Sequence, residues 1–213
     1  MSNSKNIKPE NRETGYKLLT PLMRPLFKLY YNPTIIGAEN IPEEGSVIIA
    51  GNHKHVFDQC LTIMATKRVI HYMAKKEYFE GGLAPFFRLV GCIPVDRSRK
   101  DFSSAKSALT VLKDDGAIGI FPEGTRNKTD AFMLPLKHGA VSMAKKTDAY
   151  IVPFGLTGEY KFRSKNLQVI FGKPFKVGDM TIEEANRKLH DEIERLMLES
   201  LGIPADEVRK EGE

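Results

Sequence analysis

The chain is short of several features that would assign it a class outright. Only two cysteines occur in 213 residues, Cys60 and Cys92. Both sit in apolar surroundings and suggest neither a disulfide framework nor a metal knuckle, so a reducing cytoplasm is the simplest setting. No uninterrupted apolar run approaches the roughly 18 residues of a membrane span. The start, Met1 to Thr14, is polar with no hydrophobic stretch behind a basic end, so no signal peptide is expected. There is no internal repeat, low-complexity tract or clear linker. A Gly-x-Ser-x-Gly elbow is missing, which leaves a serine acyl-enzyme without an obvious nucleophile. No nucleic-acid motif with interleaved aromatics is visible, and no nucleic acid is expected as a partner.

What is present suits one globular domain with a short appendage: 41% hydrophobic and 28% charged residues, enough to bury a full core. The net charge of +5 hides an asymmetry. From Lys176 onward 6 basic and 11 acidic residues give −5, which leaves +10 on the preceding body. Such a body favours an anionic membrane surface, nucleic acid or a phosphorylated small molecule.

Along the chain, Tyr16 to Tyr31 reads as an amphipathic helix. Leu19, Leu22, Met23, Leu26 and Tyr30 form one stripe, Lys17, Arg24 and Lys28 another, and Pro21 and Pro25 should kink or split it. Such a basic, aromatic-rich helix suits a membrane interface, or packs on a sheet with its cations in water. Strands over Thr34 to Gly37, Val47 to Ile49, Val69 to Met73, Ile93 to Val95, Ala117 to Phe121, Ile151 to Thr157 and Leu167 to Phe171 alternate with helices. The last helix opens at the capping-box spacing Thr181-Ile-Glu-Glu184 and ends at Gly202. The expected fold is α/β, with a mixed, largely parallel central sheet flanked by helices and an N-terminal amphipathic helical segment. Residues 1–33 would be that segment and 34–213 the α/β domain.

The stretch Val47-Ile-Ile-Ala-Gly-Asn-His53-Lys-His-Val-Phe-Asp58 runs from a buried strand through a turn into a helix. His53 falls at the carboxyl end of the strand, where open α/β sheets place ligands. On one continuous helix His53 and Asp58 would point about 140° apart, so they meet only across a bend. A carboxylate on Nδ1 would then leave Nε2 free as a base. Taken alone, a capping Asp and a surface His account for the pair equally well.

Phe121-Pro-Glu-Gly-Thr-Arg126 also follows a strand. Gly124 permits close approach by a ligand. Thr125 and Arg126 offer a phosphate a hydroxyl, amides and a guanidinium fork, and Glu123 could hold that fork or take a hydroxyl. Arg97, after Ile93 to Val95, is placed to add a second cation. Lys137-His138 could also reach a phosphate. Ile151-Val-Pro153 reads as core, with Pro153 marking a strand end or a sheet edge.

His53-x₄-Asp58, Val95-Asp-Arg97, Phe121-Pro-Glu-Gly-Thr-Arg126 and Ile151-Val-Pro153, in this order, resemble the four sequence blocks of the glycerolipid acyltransferases, most nearly its 1-acylglycerol-3-phosphate (lysophosphatidic acid) acyltransferase branch. The likeness covers roughly residues 34 to 175. It implies transfer of an acyl group from acyl-CoA or acyl carrier protein to lysophosphatidic acid, giving phosphatidic acid for phospholipid synthesis. By position His53 would be the general base, Asp58 its orienting partner, and Arg97, Glu123, Gly124, Thr125 and Arg126 the phosphoglycerol site. No cofactor or resident metal is expected. A peripheral place on the cytoplasmic face of the cell membrane would suit the N-terminal segment.

Two other readings stand beside this one. His53, His55 and Asp58 could be ligands of a metal-dependent hydrolase, although the remaining histidines supply no second ligand pair. A non-catalytic module could bind anionic lipid through the basic body, with steep salt dependence.

Overall fold

A strand buried on both faces needs an unbroken apolar run, and Val47–Gly51 supplies it: all five residues are buried. In the computed structural model, which describes residues 13–96 and 102–204, this strand, β2, lies at the centre of the sheet. The others are β1 (Thr34–Ile36), β3 (Ile70–Lys75), β4 (Ile93–Val95), β5 (Ala117–Ile120), β6 (Tyr150–Thr157) and β7 (Gln168–Phe171). Their order across the sheet is β1-β7-β6-β2-β5-β3-β4. Every neighbouring pair is parallel except β6 and β7. The expected mixed, largely parallel α/β sheet is the one observed.

Strand alternation sends successive side chains to opposite faces, and the core divides accordingly. Ile48, Ala50, Ile118 and Ile151 join one cluster, shared with α4 (Phe102–Lys113), α5 (Gly139–Thr147) and α6 (Ile182–Leu201). Val47, Ile49, Val152 and Phe154 join the other, which takes in Leu61 of α2 (Asp58–Ala65) and Phe27 of α1 (Thr14–Tyr31). Thr181 closes both arms of the capping box with Glu184, and Gly202 ends α6 in the left-handed conformation.

Two sequence expectations change here. Pro21 and Pro25 do not split α1, which is one helix containing both. The carbonyls they leave without a donor belong to Lys17 and Pro21, and those residues are exposed, where water can take over. Pro153 lies inside an interior strand, opposite Ala50 of β2. Its carbonyl accepts the Gly172 N–H at 2.8 Å, so its donorless nitrogen faces the β7 flank. There the ladder runs from Phe154–Phe171 to the isolated bridge Ile151–Phe175, with one extra residue on the partner side. A bulge therefore meets the proline where no ladder hydrogen bond is required.

The first helix is apolar on two sides. Tyr16, Thr20 and Phe27 are buried. Roughly 140° away around the helix, Leu18, Leu22, Leu26 and Leu29 are 74%, 63%, 58% and 66% exposed. Of the predicted basic stripe, Arg24 is turned inward and donates to the carbonyls of Ile63, at 2.9 Å, and Thr66 at the end of α2. Lys28 donates to Pro33 O at 2.9 Å, and Lys17 pairs with Glu13 at 2.7 Å. The cations therefore tie α1 down, and the leucines face outward. No helix among the described residues is long and apolar enough to cross a membrane.

Candidate active site

β2 and β5 are adjacent and parallel, so the segments leaving their carboxyl ends emerge side by side. From β2 comes His53, and five residues on Asp58 opens α2. The chain bends between them, and His53 Nδ1 lies 2.8 Å from Asp58 Oδ2. Asp58 is fully buried while the His53 side chain keeps 15% of its surface open. The same Oδ2 accepts the backbone N–H of Lys54 at 2.7 Å and of His55 at 2.8 Å. Asp58 Oδ1 accepts the hydroxyl of Tyr160 at 2.7 Å. Both oxygens of the carboxylate accept hydrogen bonds, which is how a buried charge is tolerated.

The His53 ring stacks on Phe121 at 3.9 Å and 11°, and Phe121 in turn stacks on Tyr72. That column and the Asp58 bond fix the imidazole plane, with Nε2 at its open edge. Among the described residues Nε2 has no hydrogen-bond partner, so it is free to take a proton.

Glu123 is buried, and both its oxygens are engaged. Oε1 accepts the backbone N–H of His53 at 2.6 Å, and Oε2 accepts that of Leu134 at 2.9 Å. Burial pushes its carboxyl above the usual range, against the pull of those amides and of His53. The sequence suggested that Glu123 might brace the Arg126 fork or take a hydroxyl. Its oxygens instead join two segments of backbone. Gly124 has φ +73°, and a Cβ there would lie 2.7 Å from Lys137 Nζ. The left-handed turn is what calls for glycine, since the flexible end of the lysine could move aside. Lys137 thus reaches this loop, while His138 lies in a separate groove with His190.

Thr125 is exposed and Arg126 half-buried. Among the described residues the Arg126 guanidinium makes no ion pair or hydrogen bond, yet its charge reaches His55. The His55 imidazole is held below its ordinary range, first by burial and then by Arg126, with Asp58 opposing. A free guanidinium close to a base is suited to an anionic group on the molecule that the base deprotonates. Arg97 lies outside the described residues. β4, which leads to it, is the edge strand, and Ile151 to Pro153 are core, as expected.

The metal-hydrolase alternative loses its ligand set. Asp58 is saturated by four donors, and His55 Nδ1 accepts the Phe57 N–H at 3.3 Å while its ring stacks on Tyr160. The compact His/carboxylate group among the described residues is His190, Asp191 and Glu194, on α6 and apart from this site. Of the amides after His53, natural candidates for an oxyanion, those of Lys54 and His55 are committed to Asp58 and that of Phe57 to His55, while that of Val56 has no partner among the described residues. The amides of Thr125 and Arg126 carry no partner among the described residues.

Sequence reasoning missed Tyr160, Asn52 and Phe121. Phe121 stood inside a motif that was already marked. Asn52 donates to Leu156 O at 2.9 Å and accepts Leu156 N–H at 2.7 Å. Tyr160 follows β6 with no local pattern to flag it.

The chain is similar to known proteins over most of its length. A family model described as Acyltransferase matches residues 32–157. The 1-acyl-sn-glycerol-3-phosphate acyltransferase of Bacillus subtilis is 32% identical over 170 residues, 77% of this chain and 84% of that protein. The protein of the same description from Borreliella burgdorferi is 34% identical over 139 residues, 62% of this chain and 54% of its own length. In fold, the chain resembles the crystal structure of the 1-acyl-sn-glycerophosphate (LPA) acyltransferase PlsC from Thermotoga maritima. The TM-score is 0.71 at 22% identity, over 86% of this chain and 78% of that one.

Proposed function

The chain belongs to the acyltransferase family, and from that premise we propose how it works as a 1-acylglycerol-3-phosphate O-acyltransferase. The single observation that carries the mechanism is the 2.8 Å contact from His53 Nδ1 to a fully buried Asp58, with Nε2 left open. The acceptor is lysophosphatidic acid and the donor an acyl thioester of coenzyme A or acyl carrier protein. Nε2 takes the proton of the acceptor hydroxyl as its oxygen attacks the thioester carbonyl. The C–O bond forms, the C–S bond breaks, and the imidazolium returns its proton to the departing thiolate. The products are phosphatidic acid and the free thiol. General-base help of this kind contributes about 10²–10⁴ in rate. Arg126, with Thr125 and the Gly124 turn, holds the phosphate and so fixes the hydroxyl near Nε2.

The acceptor is a lipid, and the exposed leucines of α1 give the protein a surface suited to lipid. The outward leucines of α1 run toward Tyr30 and Tyr31. Tyr30 meets Phe162 at 5.3 Å, and Tyr31 meets Phe57 and Tyr160 at 6.1 and 5.6 Å. An apolar, aromatic path therefore leads from α1 to the dyad, as a peripheral enzyme drawing substrate from a membrane surface requires. On this reading the protein sits on the cytoplasmic face of the membrane, with its basic body favouring anionic lipid.

Acyl transfer to lysophosphatidic acid, followed with acyl-CoA and with acyl carrier protein donors, tests the assignment. His53→Ala should lose at least about 10²-fold in kcat, and Arg126→Ala should chiefly raise the acceptor KM. Turnover by a folded His53→Ala protein at the wild-type rate would remove the base.

A further inference from the structure

Asp58 has two oxygens with unequal duties. Oδ2 takes His53 Nδ1 and two backbone amides, whereas Oδ1 has one partner among the described residues, the Tyr160 hydroxyl at 2.7 Å. A carboxylate turns readily about its last torsion, which is broad and two-fold, so a donor on Oδ1 helps fix the plane in which the other oxygen faces the imidazole.

Tyr160 is itself held on several sides. His55 stacks on its ring at 4.2 Å and 20°, and Tyr31 of α1 meets it edge-on at 5.6 Å and 82°. The chain that brings it in is fastened to the segment carrying the dyad. Asn52 bonds both backbone groups of Leu156, and Lys54 Nζ donates to Gly158 O. Burial, with the Asp58 charge second, pushes the phenol far above its ordinary range. It therefore stays a donor at any pH where the enzyme works.

We propose that Tyr160 is a positioning residue of the acyl-transfer site: its hydroxyl holds the Asp58 carboxylate in the plane that presents an oxygen squarely to His53. The inference rests on the reading of His53 as the base. It touches no reacting atom and acts through Asp58. Its loss orphans a buried carboxylate oxygen and leaves the plane of the group to the bonds on Oδ2 alone.

The test is Tyr160→Phe, which keeps the ring and its stacking. The acceptor KM should stay within about twofold while kcat falls about tenfold, the scale of a hydrogen bond to a charged group. A second readout separates positioning from mere support. The titratable groups around Asp58 are His53, Lys54 and His55, Cys60 of α2, Tyr72 of β3 and Glu123. None of these is altered by the substitution. Without the phenol the carboxylate charge concentrates on Oδ2 and favours the imidazolium. The acidic limb of the kcat/KM profile should then move to higher pH.

Unchanged kcat with an unmoved limb would overturn the proposal. So would a raised KM at unchanged kcat, or an activity loss that only follows the folded fraction seen by circular dichroism. His53→Ala in the same assay keeps the two claims apart. If it is dead while Tyr160→Phe is wild-type, Tyr160 alone is wrong; if it is active, the dyad and this inference fall together.

Discussion

Glu123 Oε1 accepts the backbone N–H of His53 at 2.6 Å, so the residue that opens one motif is clipped to the base of another 70 positions away. Glu123 Oε2 takes Leu134 N–H at 2.9 Å, and Asn127 N–H donates to His53 O at 2.7 Å. Two of these bonds join the segment after β2 to the loop after β5 and the third braces that loop internally, so His53 and Arg126 are held on one body.

Replacing Glu123 should for that reason disturb both stability and turnover. Glu123→Ala leaves two amides without acceptors, at about 1–3 kcal/mol each. Glu123→Gln still offers one oxygen and orphans only one. The melting temperature should fall in the order wild type, Gln, Ala. A displacement of about 1 Å between base and phosphate clamp can cost roughly 10²-fold in rate, so kcat/KM should fall in the same order. Calorimetry with steady-state kinetics checks it, and an Ala variant as stable and active as wild type would contradict the clip.

Asp58 calls for two substitutions with different outcomes. Asp58→Ala removes the acceptor of two backbone amides, an imidazole N–H and a phenol, all inside the protein. A loss on the order of 3–5 kcal/mol is expected from several buried donors left unpaired. Asp58→Asn can keep its oxygen toward the amides and turn its NH₂ to the Tyr160 oxygen, so it should melt near wild type. Both lack the charge that stabilises the imidazolium, and both should lose about 10²–10⁴ in kcat. Equal melting temperatures for Ala and wild type would show that the buried network is not what holds this corner.

The sequence carried the dyad and the fold for physical reasons that also explain its gaps. Val47–Gly51 is legible because a doubly buried strand must be apolar throughout, and His53 and Asp58 because the bend between them lies within five residues. Thr181 and Glu184 form a local device and could be read directly. Tyr160 meets Asp58 across 102 positions, and nothing near it in the chain records that contact. Glu123 was picked out correctly as a residue, but a carboxylate that accepts backbone amides looks, in sequence, the same as one that grips a ligand. The stripe read from sequence holds Leu22 and Leu26 but neither Leu18 nor Leu29, because periodicity reports apolar positions and cannot tell the buried face from the exposed one.

Both cysteines should be chemically quiet in the folded protein. Burial pushes the Cys60 and Cys92 thiols up to about 12, so at pH 8 only about 10⁻⁴ of either is the reactive thiolate. Raising the pH toward 10 should speed modification, since each unit increases the thiolate tenfold. A disulfide reagent should label both quickly in denaturant and neither within minutes under native conditions. Rapid native labelling at pH 8 would show the thiols to be reachable and ionised.

Membrane attachment should depend on the leucines of α1 more than on its cations. Leu18, Leu22, Leu26 and Leu29 are exposed on one side of a helix whose opposite side is already buried. Arg24, Lys28 and Lys17 are meanwhile occupied by Ile63 and Thr66, by Pro33 and by Glu13. Burying one leucine side chain is worth about 1.5–3 kcal/mol. The double change Leu22→Gln, Leu26→Gln should therefore cut partitioning into lipid vesicles by at least about a hundredfold, on neutral and anionic bilayers alike. Anionic lipid should add a smaller, salt-sensitive attraction, drawn from the basic body. Activity on a short-chain, monomeric acceptor should survive, because neither leucine touches the dyad, while activity on acceptor embedded in vesicles should fall with binding. If the variant still bound vesicles as wild type does, the leucine stripe would have to be covered by something other than lipid, and the path from α1 through Tyr31 to the dyad would lose its purpose.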